Sequence, residues 1–194
     1  MSKDSSKSGE GALYEPIKNH LTRVLGYYIE KDKKPHFQGR PFEFEDNPYL
    51  EITASGKISE TLQKEFDDET FLILRSEGKA PDIMGFVKRK ESEPRELITV
   101  EIKNQPIMLK HIFQAQLYQV IFNSTLGFLI SPKGITERRM RFITSSTGKF
   151  IRGRIIILQF NDNIYGKPSF TCNKRLRDVV PESLRKYFEL SDKK

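Results

Sequence analysis

Three charged residues lie at the ends of apolar runs, in a pattern that suits the binding of a metal ion. Asp82 precedes one apolar segment, and Glu101 and Lys103 flank Ile102 at the end of the apolar run 97–100. Alternate residues of a strand point to the same side, so Glu101 and Lys103 share one polar face while Ile102 points into the core. Two carboxylates and an ammonium group on one face could hold Mg²⁺ and activate a water for phosphodiester hydrolysis.

Each half of this pattern is also common for other reasons. Glu-x-Lys recurs on solvated strands, and Pro-Asp recurs in turns. Here apolar residues at 71–74 and 97–100 precede the two acids, which predicts that the acids lie in largely buried strands. Polar groups in such places are costly unless they are paired or bind a metal. The context therefore favours a functional site over a solvated surface.

A helix with both apolar and polar stripes is predicted directly after the Glu101 strand. Apolar residues recur at helical spacing within 106–122 and predict a wide buried face. They are Ile112, Phe113, Leu117, Val120 and Ile121. Gln114 and Tyr118 are four residues apart, which places them one turn apart on one side, and His111 extends that stripe. Gln114 and Tyr118 either line a cleft, or are a solvated residue and a core residue respectively.

Taken together, Pro81-Asp82, Glu101-Ile102-Lys103 and the Gln-x-x-x-Tyr helix resemble the PD-(D/E)xK nuclease superfamily, and its RecB-like branch in particular. The resemblance implies an α/β fold with a restriction-endonuclease-like αβββαβ core, a mixed central sheet flanked by helices. It implies that Asp82, Glu101 and the main-chain carbonyl of Ile102 bind Mg²⁺, or Mn²⁺ in its place. Lys103, Gln114 and Tyr118 would complete the catalytic set.

A third acid is a candidate on the first helix. Pro16 is best tolerated in a first helical turn, so the sequence predicts a helix that begins near Tyr14 or Glu15. Its predicted buried stripe is Ile17, Leu21, Val24, Leu25 and Tyr28. Many members of the superfamily carry a glutamate here that joins the metal site, which would be Glu15. An acid at a helix N-terminus also offsets the macrodipole, so both interpretations of Glu15 stay open.

The basic excess of the chain suits a polyanionic partner. There are 33 Lys and Arg residues against 26 acids, a net charge of +7. Candidate phosphate-binding residues are Lys88, Arg89, Lys90, Arg138, Arg139 and Arg141. We expect DNA, single-stranded or structured, as the partner, although charge alone does not distinguish DNA from RNA or from an acidic protein. A homodimer is plausible because closed dimers are the commonest assembly.

Other classes of site are disfavoured by composition. The single cysteine, Cys172, excludes an internal disulfide framework and multi-cysteine metal sites, and the three histidines have no metal-ligand spacing. A Walker-type phosphate loop does not occur. Neither an apolar run of the ~20 residues that span a membrane nor a signal peptide is found. We therefore expect a cytoplasmic protein.

The predicted organisation is a flexible tail at 1–9, a nuclease-like domain at 10–160 with an insertion near 35–69, and a C-terminal extension at 161–194. Core strands are predicted near 70–75, 82–88, 96–103, 127–130 and 154–160, with a helix at 135–145 and another near 182–190. The expected function is a metal-dependent deoxyribonuclease, exo- or endonucleolytic, in repair, recombination or defence. The alternatives are a non-catalytic nucleic-acid-binding module of the same fold and a basic protein-interaction subunit.

Overall fold

The computed structural model describes residues 9–30, 48–65, 80–88, 95–162 and 167–191. Within these ranges the chain forms a seven-stranded mixed sheet flanked by helices, and the strands lie side by side in chain order. The strands are β1 Tyr49–Ile52, β2 Ile83–Val87, β3 Glu96–Ile102, β4 Leu126–Ser131, β5 Ile156–Asn161, β6 Ser169–Asn173 and β7 Glu189–Ser191. The helices are α1 Tyr14–Glu30, α2 Glu60–Gln63, α3 Leu109–Ile121, α4 Glu137–Thr144 and α5 Ser146–Arg152.

The centre of the sheet is parallel and its flanks are mixed. Strands β1, β2 and β3 pair antiparallel, whereas β3, β4 and β5 run parallel. Strand β6 is antiparallel to β5, and β7 is parallel to β6. Parallel neighbours need a crossover connection, and α3 supplies it between β3 and β4 while α4 and α5 supply it between β4 and β5. The carboxyl ends of β3, β4 and β5 therefore meet at one edge of the sheet.

The two faces of the sheet bury different helices. One core cluster joins the α1 stripe, including Ile17 and Leu21, to Val100 and Ile102 of β3. A second cluster joins Met84 and Phe86 of β2 to the α3 and α2 residues Tyr118, Phe122 and Leu62. Because side chains alternate along a strand, the second face is the one that also carries Glu101. Helices α2 and α3 thus lie on the same side of the sheet as the predicted site.

Several predicted elements are confirmed. Helix α1 begins at Tyr14, and Ile17, Leu21, Val24 and Leu25 are buried, while the side chain of Tyr28 lies outside the described set. Strand β5 lies between β4 and β6, as expected for a strand that is apolar on both faces. None of the described helices is long and apolar enough to cross a membrane.

The predicted insertion at 35–69 is wrong in part, because it contains the edge strand β1. Residues Tyr49–Ile52 pair antiparallel with β2, and all four side chains are half-buried. Four half-buried residues leave too short an alternation to distinguish a strand from a loop. The same segment also contains α2, where the Ser59 side chain accepts a hydrogen bond from the Leu62 N–H. The predicted strand at 70–75 lies outside the described residues.

The predicted buried face of α3 is also wrong in part. Ile112 is buried, but Phe113, Leu117 and Val120 are 51, 56 and 78% exposed. The opposite side of the helix packs against the sheet instead. Its buried residues are His111, Ile112, Ala115 and Tyr118. The helix carries apolar residues on two sides, so periodicity could not decide which side meets the sheet.

The C-terminal residues extend the sheet, and the helix predicted near 182–190 is wrong. A short 3₁₀ turn, Arg185–Tyr187, leads directly into β7. Phe188 packs against Phe170 of β6, with ring centroids 6.2 Å apart, and both rings are buried. These contacts join residues far apart in sequence, and local helix propensity gave no sign of them.

Candidate active site

The pairing of β2 with β3 brings the two acids of the motif together. Ile83 is paired with Val100 in the antiparallel ladder, so Asp82 comes opposite Glu101 one step further on. The main-chain N–H of Ile102 donates a hydrogen bond to Asp82 Oδ2 at 2.7 Å. Asp82 and Glu101 are only 7 and 2% exposed. Directly opposed residues of antiparallel strands point to the same face, so the two carboxylates share one buried polar region.

Lys103 completes this group. Its Nζ lies 2.6 Å from Glu101 Oε1, and the ammonium is mostly buried. Its main-chain N–H donates to the carbonyl of Ile130 at 2.9 Å, which continues the β3–β4 pairing beyond the end of β3. The backbone is therefore held on both sides at this point. The structure brings Asp82, Glu101 and Lys103 together, as the motif predicted.

Tyr14, which the sequence analysis did not identify as a site residue, holds the other oxygen of Asp82. Its hydroxyl donates to Asp82 Oδ1 at 2.9 Å. Burial raises the pKa of Tyr14, as does the neighbouring Asp82 charge, so the phenol remains a donor. The predicted helix start at Tyr14 was right, but no local signal links that residue to an aspartate 68 positions later.

A different glutamate from the predicted one approaches the site. Glu15 is half-exposed and pairs with Lys18 at 2.9 Å, one turn along α1. Glu10, in the 3₁₀ turn Glu10–Leu13 before α1, places Oε1 3.3 Å from Lys103 Nζ and Oε2 3.4 Å from the N–H of Asn104. The acid is thus supplied from the segment that precedes the helix.

One carboxylate oxygen in this group has no partner. Glu101 Oε2 is buried and accepts no hydrogen bond from the described residues. Burial raises the pKa of Glu101 to about 7, and the Asp82 charge adds to the shift while Lys103 opposes it. Burial also raises the pKa of Asp82, against the hydrogen bond from Ile102 and the charge of Lys103. Both carboxyl groups would therefore be stabilised as anions by a further cation.

The neighbouring carboxylates keep Lys103 protonated. Burial alone would lower its pKa, but the hydrogen bond and charge of Glu101, with the charges of Asp82 and Glu10, raise it overall. Three carboxylates thus surround one ammonium group. Acids outnumber the base in this group, and two of the acids, Asp82 and Glu101, are buried.

The donor set fits a small hard cation. Carboxylate and carbonyl oxygens are the ligands of Mg²⁺, which keeps several waters and commonly takes only one or two carboxylates from the protein. Within the described ranges, no group of three or more His, Cys, Asp or Glu side chains is arranged to hold a metal ion. Protein ligation would therefore rest on Asp82 and Glu101, with a main-chain oxygen such as that of Ile102. The unpartnered Glu101 Oε2 is the atom that favours this arrangement.

The polar residues of α3 lie on the same side of the sheet as this group, and Tyr118 is buried against Met84 and Phe86. Gln114 Nε2 donates to the Tyr118 hydroxyl at 3.4 Å. Burial raises the pKa of Tyr118, and the charges of Glu101 and Asp82 add to the shift, so the phenol lies within their electrostatic range. His111 Nδ1 accepts the N–H of Met108 at 3.1 Å and caps the helix. Burial lowers the pKa of His111, and the charges of Lys103 and Lys110 lower it further.

The predicted phosphate-binding residues divide into two groups. Lys88 follows the end of β2 remote from Asp82, about 20 Å away for six residues of extended strand. Arg89 and Lys90 lie outside the described residues. Arg138, Arg139 and Arg141 are on α4, where Arg141 pairs with Glu137 at 3.1 Å. Arg138 and Arg139 line a surface depression with Leu109, which places the α4 group beside the start of α3.

No family model, curated protein or solved structure gives a significant match to this chain. A functional assignment therefore depends on the residues themselves. The informative features are the buried, negatively charged group at the end of β3, the polar pair on α3 and the basic helix α4.

Proposed function

We propose that the protein is a metal-dependent nuclease of the PD-(D/E)xK type that hydrolyses phosphodiester bonds in DNA. The observation that carries this proposal is the placement of Asp82 opposite Glu101, with Lys103 Nζ 2.6 Å from Glu101 Oε1. The order α1, β1, α2, β2, β3, α3, β4 of the described elements supports it, because it differs from the αβββαβ succession only by the single-turn helix α2. The basic residues of α4 suit a polyanionic substrate.

Asp82, Glu101 and the carbonyl of Ile102 would hold Mg²⁺ or Mn²⁺, with Glu10 as the nearest further acid. When bound, such an ion polarises the scissile phosphate and lowers the pKa of a water molecule. The chain contributes the rigidity of this site. Tyr14 and the Ile102 N–H fix both oxygens of Asp82, so the carboxylate is held in one orientation before any ligand arrives.

Lys103 would act on the phosphate side of the reaction. Its ammonium group is held between Glu101 and Glu10 and can donate to a nucleophilic water or to a phosphate oxygen. A fixed positive charge at this point offsets the negative charge that accumulates on the phosphate in the transition state. Gln114 and Tyr118 supply further hydrogen-bond donors from α3, which would orient the substrate. No covalent intermediate with the protein is required.

The test is a cleavage assay with end-labelled single-stranded, duplex and branched DNA, and with RNA. Each substrate is incubated with Mg²⁺, Mn²⁺ or EDTA. Asp82→Asn is compared with Glu15→Gln, a matched control that neutralises an acid of the same segment which pairs with Lys18 outside the site. We expect metal-dependent products from the wild type and from Glu15→Gln, and none from Asp82→Asn.

The products also decide among the open alternatives. A ladder that starts at the labelled end indicates an exonuclease, and internal fragments indicate an endonuclease. Retained DNA binding without cleavage of any substrate would contradict the proposal and favour a binding module of the same fold. Absence of both cleavage and binding would favour a protein-interaction subunit. Circular dichroism of each variant establishes that the fold is intact.

A further inference from the structure

The side of α3 that faces away from the sheet is apolar and solvent-exposed. Phe113, Leu117 and Val120 recur at i, i+4 and i+7, and each is more than half exposed. Two further exposed phenylalanines follow on the next helices, Phe142 of α4 and Phe150 of α5, at 38 and 88% exposure. Contiguous exposed apolar side chains of this size mark interaction sites. We call these five residues the outer surface.

The packing of α3 with α4 and α5 joins these side chains. Leu109, one turn before Phe113, lines the same surface depression as Phe142. At the other side, a Cβ on Gly153 would come within 2.6 Å of the Gln116 side chain, so the end of α5 lies directly against α3. Phe150 is one turn before Gly153, and Gln116 is one turn after Phe113. The phenylalanines of α4 and α5 therefore flank the α3 stripe.

Basic residues outnumber acids in the part of the chain that carries the outer surface. Residues 104–161, which include α3, α4 and α5, contain eight Lys and Arg residues and a single acid. One of the eight, Arg152, is buried and paired with Asp178, so it does not contribute to this surface. The single acid of 104–161 is Glu137, which is shared by Arg141 and Arg175 at 3.1 and 2.8 Å. Two arginines of α4, Arg138 and Arg139, line the depression beside Phe142. The exposed ring of Phe142 thus lies beside two basic side chains of α4.

We propose that the outer surface binds single-stranded DNA, in a role that rests on the proposed nuclease function. A polyanion complements the charge, and the exposed rings provide faces on which unpaired bases stack. Duplex DNA fits less well, because its bases are already stacked within the helix. The surface continues from α3 onto α4, because Leu109 of α3 lines one depression together with Arg138, Arg139 and Phe142. The strand would thus lie along α3 and α4.

The test separates stacking from simple apolar contact. Binding of labelled oligo(dT) and of a duplex of equal length is measured by fluorescence anisotropy in EDTA, for Phe150→Tyr, Phe150→Leu and the corresponding pair at Phe142. Tyrosine keeps the ring face, whereas leucine keeps only apolar area. Leu190→Ala is the control, because Leu190 is a 39% exposed apolar residue of β7, outside this surface.

We expect oligo(dT) to bind more tightly than the duplex, with affinity reduced roughly five-fold or more in each leucine variant and unchanged in the tyrosine variants and in Leu190→Ala. Equal affinity in all variants would overturn the proposal, as would preferred binding of RNA. Loss of self-association in the leucine variants, without loss of DNA binding, would assign the surface to a second copy of the chain and overturn it too.

The outcome is distinguishable from that of the nuclease proposal. Suppose that the wild type cleaves DNA with Mg²⁺ but that the affinity for oligo(dT) does not depend on Phe142 and Phe150. The nuclease proposal then stands, and the proposal that the outer surface binds single-stranded DNA is overturned. If the leucine variants lose single-strand affinity and the wild type cleaves nothing, the surface is supported and the nuclease is overturned.

Discussion

Two buried ionic groups lie at opposite ends of the central strands, and they differ in their balance of charge. At the carboxyl end of β3, Lys103 is surrounded by Glu101, Asp82 and Glu10. At the opposite end, Arg152 of α5 pairs with Asp178 at 3.1 Å, beside Glu96 and Leu126 in the same surface cavity. Arg152 is 3% exposed, whereas Asp178 is about half exposed.

The difference distinguishes a structural pair from a candidate binding site. The Arg152–Asp178 pair balances one charge with one charge, and the acid keeps contact with water. The group at β3 places two buried acids and the one-third-exposed Glu10 around one base, and Glu101 Oε2 has no partner among the described residues. This imbalance does not stabilise the folded protein, since uncompensated buried charge is costly. A bound cation would remove the imbalance, which is why we assign chemistry to this end of the sheet.

The largest expected effect is on catalysis at the unbalanced group. Lys103→Ala should reduce the cleavage rate by about 100-fold or more, because it removes the one positive charge near the phosphate. The Tm should also fall in EDTA, because Glu101 and Asp82 lose the cation that balances them, and it should recover in part at saturating Mg²⁺. Initial rates at saturating Mg²⁺ and a thermal melt measure the two quantities. Lys18→Ala, which removes a lysine from the pair with Glu15, is the matched control. A wild-type rate in Lys103→Ala would contradict the mechanism.

The sequence predicted the parts of this site that depend on alternation within one strand. Glu101 and Lys103 share a face because they are two residues apart, and Asp82 is placed by one antiparallel register. It could not place Glu10 or Tyr14, which reach the site from a different element after the chain has folded. The same limit explains the sheet: β3, β4 and β5 were recognisable as apolar runs, whereas β1, β6 and β7 owe their structure to pairing with distant neighbours.

Substitutions in the Arg152–Asp178 pair should lower the free energy of unfolding and leave the cleavage rate unchanged. Asp178→Asn leaves Arg152 buried, where its Nε and Nη1 already have no partner among the described residues. We expect the free energy of unfolding to fall by about 1–3 kcal/mol. Arg152→Met should cost less, because it removes the buried charge and leaves a half-exposed acid. Urea denaturation measures both variants. If either one lost cleavage activity while its stability was unchanged, the two ends of the sheet would not be distinct in the way we describe.

A smaller effect is expected from metal ions on stability. Because the site has an excess of negative charge, Mg²⁺ or Mn²⁺ should stabilise the folded wild type by about 1–3 kcal/mol at concentrations of roughly ten to 100 times Kd, and EDTA should abolish the gain. Glu101→Gln should lose most of it, whereas Asp178→Asn should retain it. Differential scanning fluorimetry across a metal titration, with NaCl at matched ionic strength as a control, measures the shift in Tm. An equal shift in Glu101→Gln would place the ion elsewhere.

The smallest expected effect concerns His20, a half-buried residue of α1 that belongs to neither ionic group. Its ring packs on Phe170 with centroids 4.7 Å apart, and its Nδ1 has no partner among the described residues. Burial lowers the pKa of His20, and the charge of Arg23 lowers it further. The unfolded chain then binds a proton more readily than the folded protein near pH 6, so stability is full above the ordinary histidine pKa of about 6.5 and is lost as pH falls below it.

His20→Gln should therefore flatten the decline of unfolding free energy between about pH 7.5 and 5.5, measured by urea denaturation at each pH. The flattening is partial, because burial lowers the pKa of His111 as well and that residue contributes a decline of the same sign. It is also modest, since the His20 ring is only half-buried and water screens its charge. A variant as steeply pH-dependent as the wild type would mean that His20 is protonated as readily in the folded protein as in the unfolded chain. His20 avoids the cost of burying a charge by giving up its proton and becoming neutral. Asp82 and Glu101 keep their negative charge in the buried site only if a cation balances it.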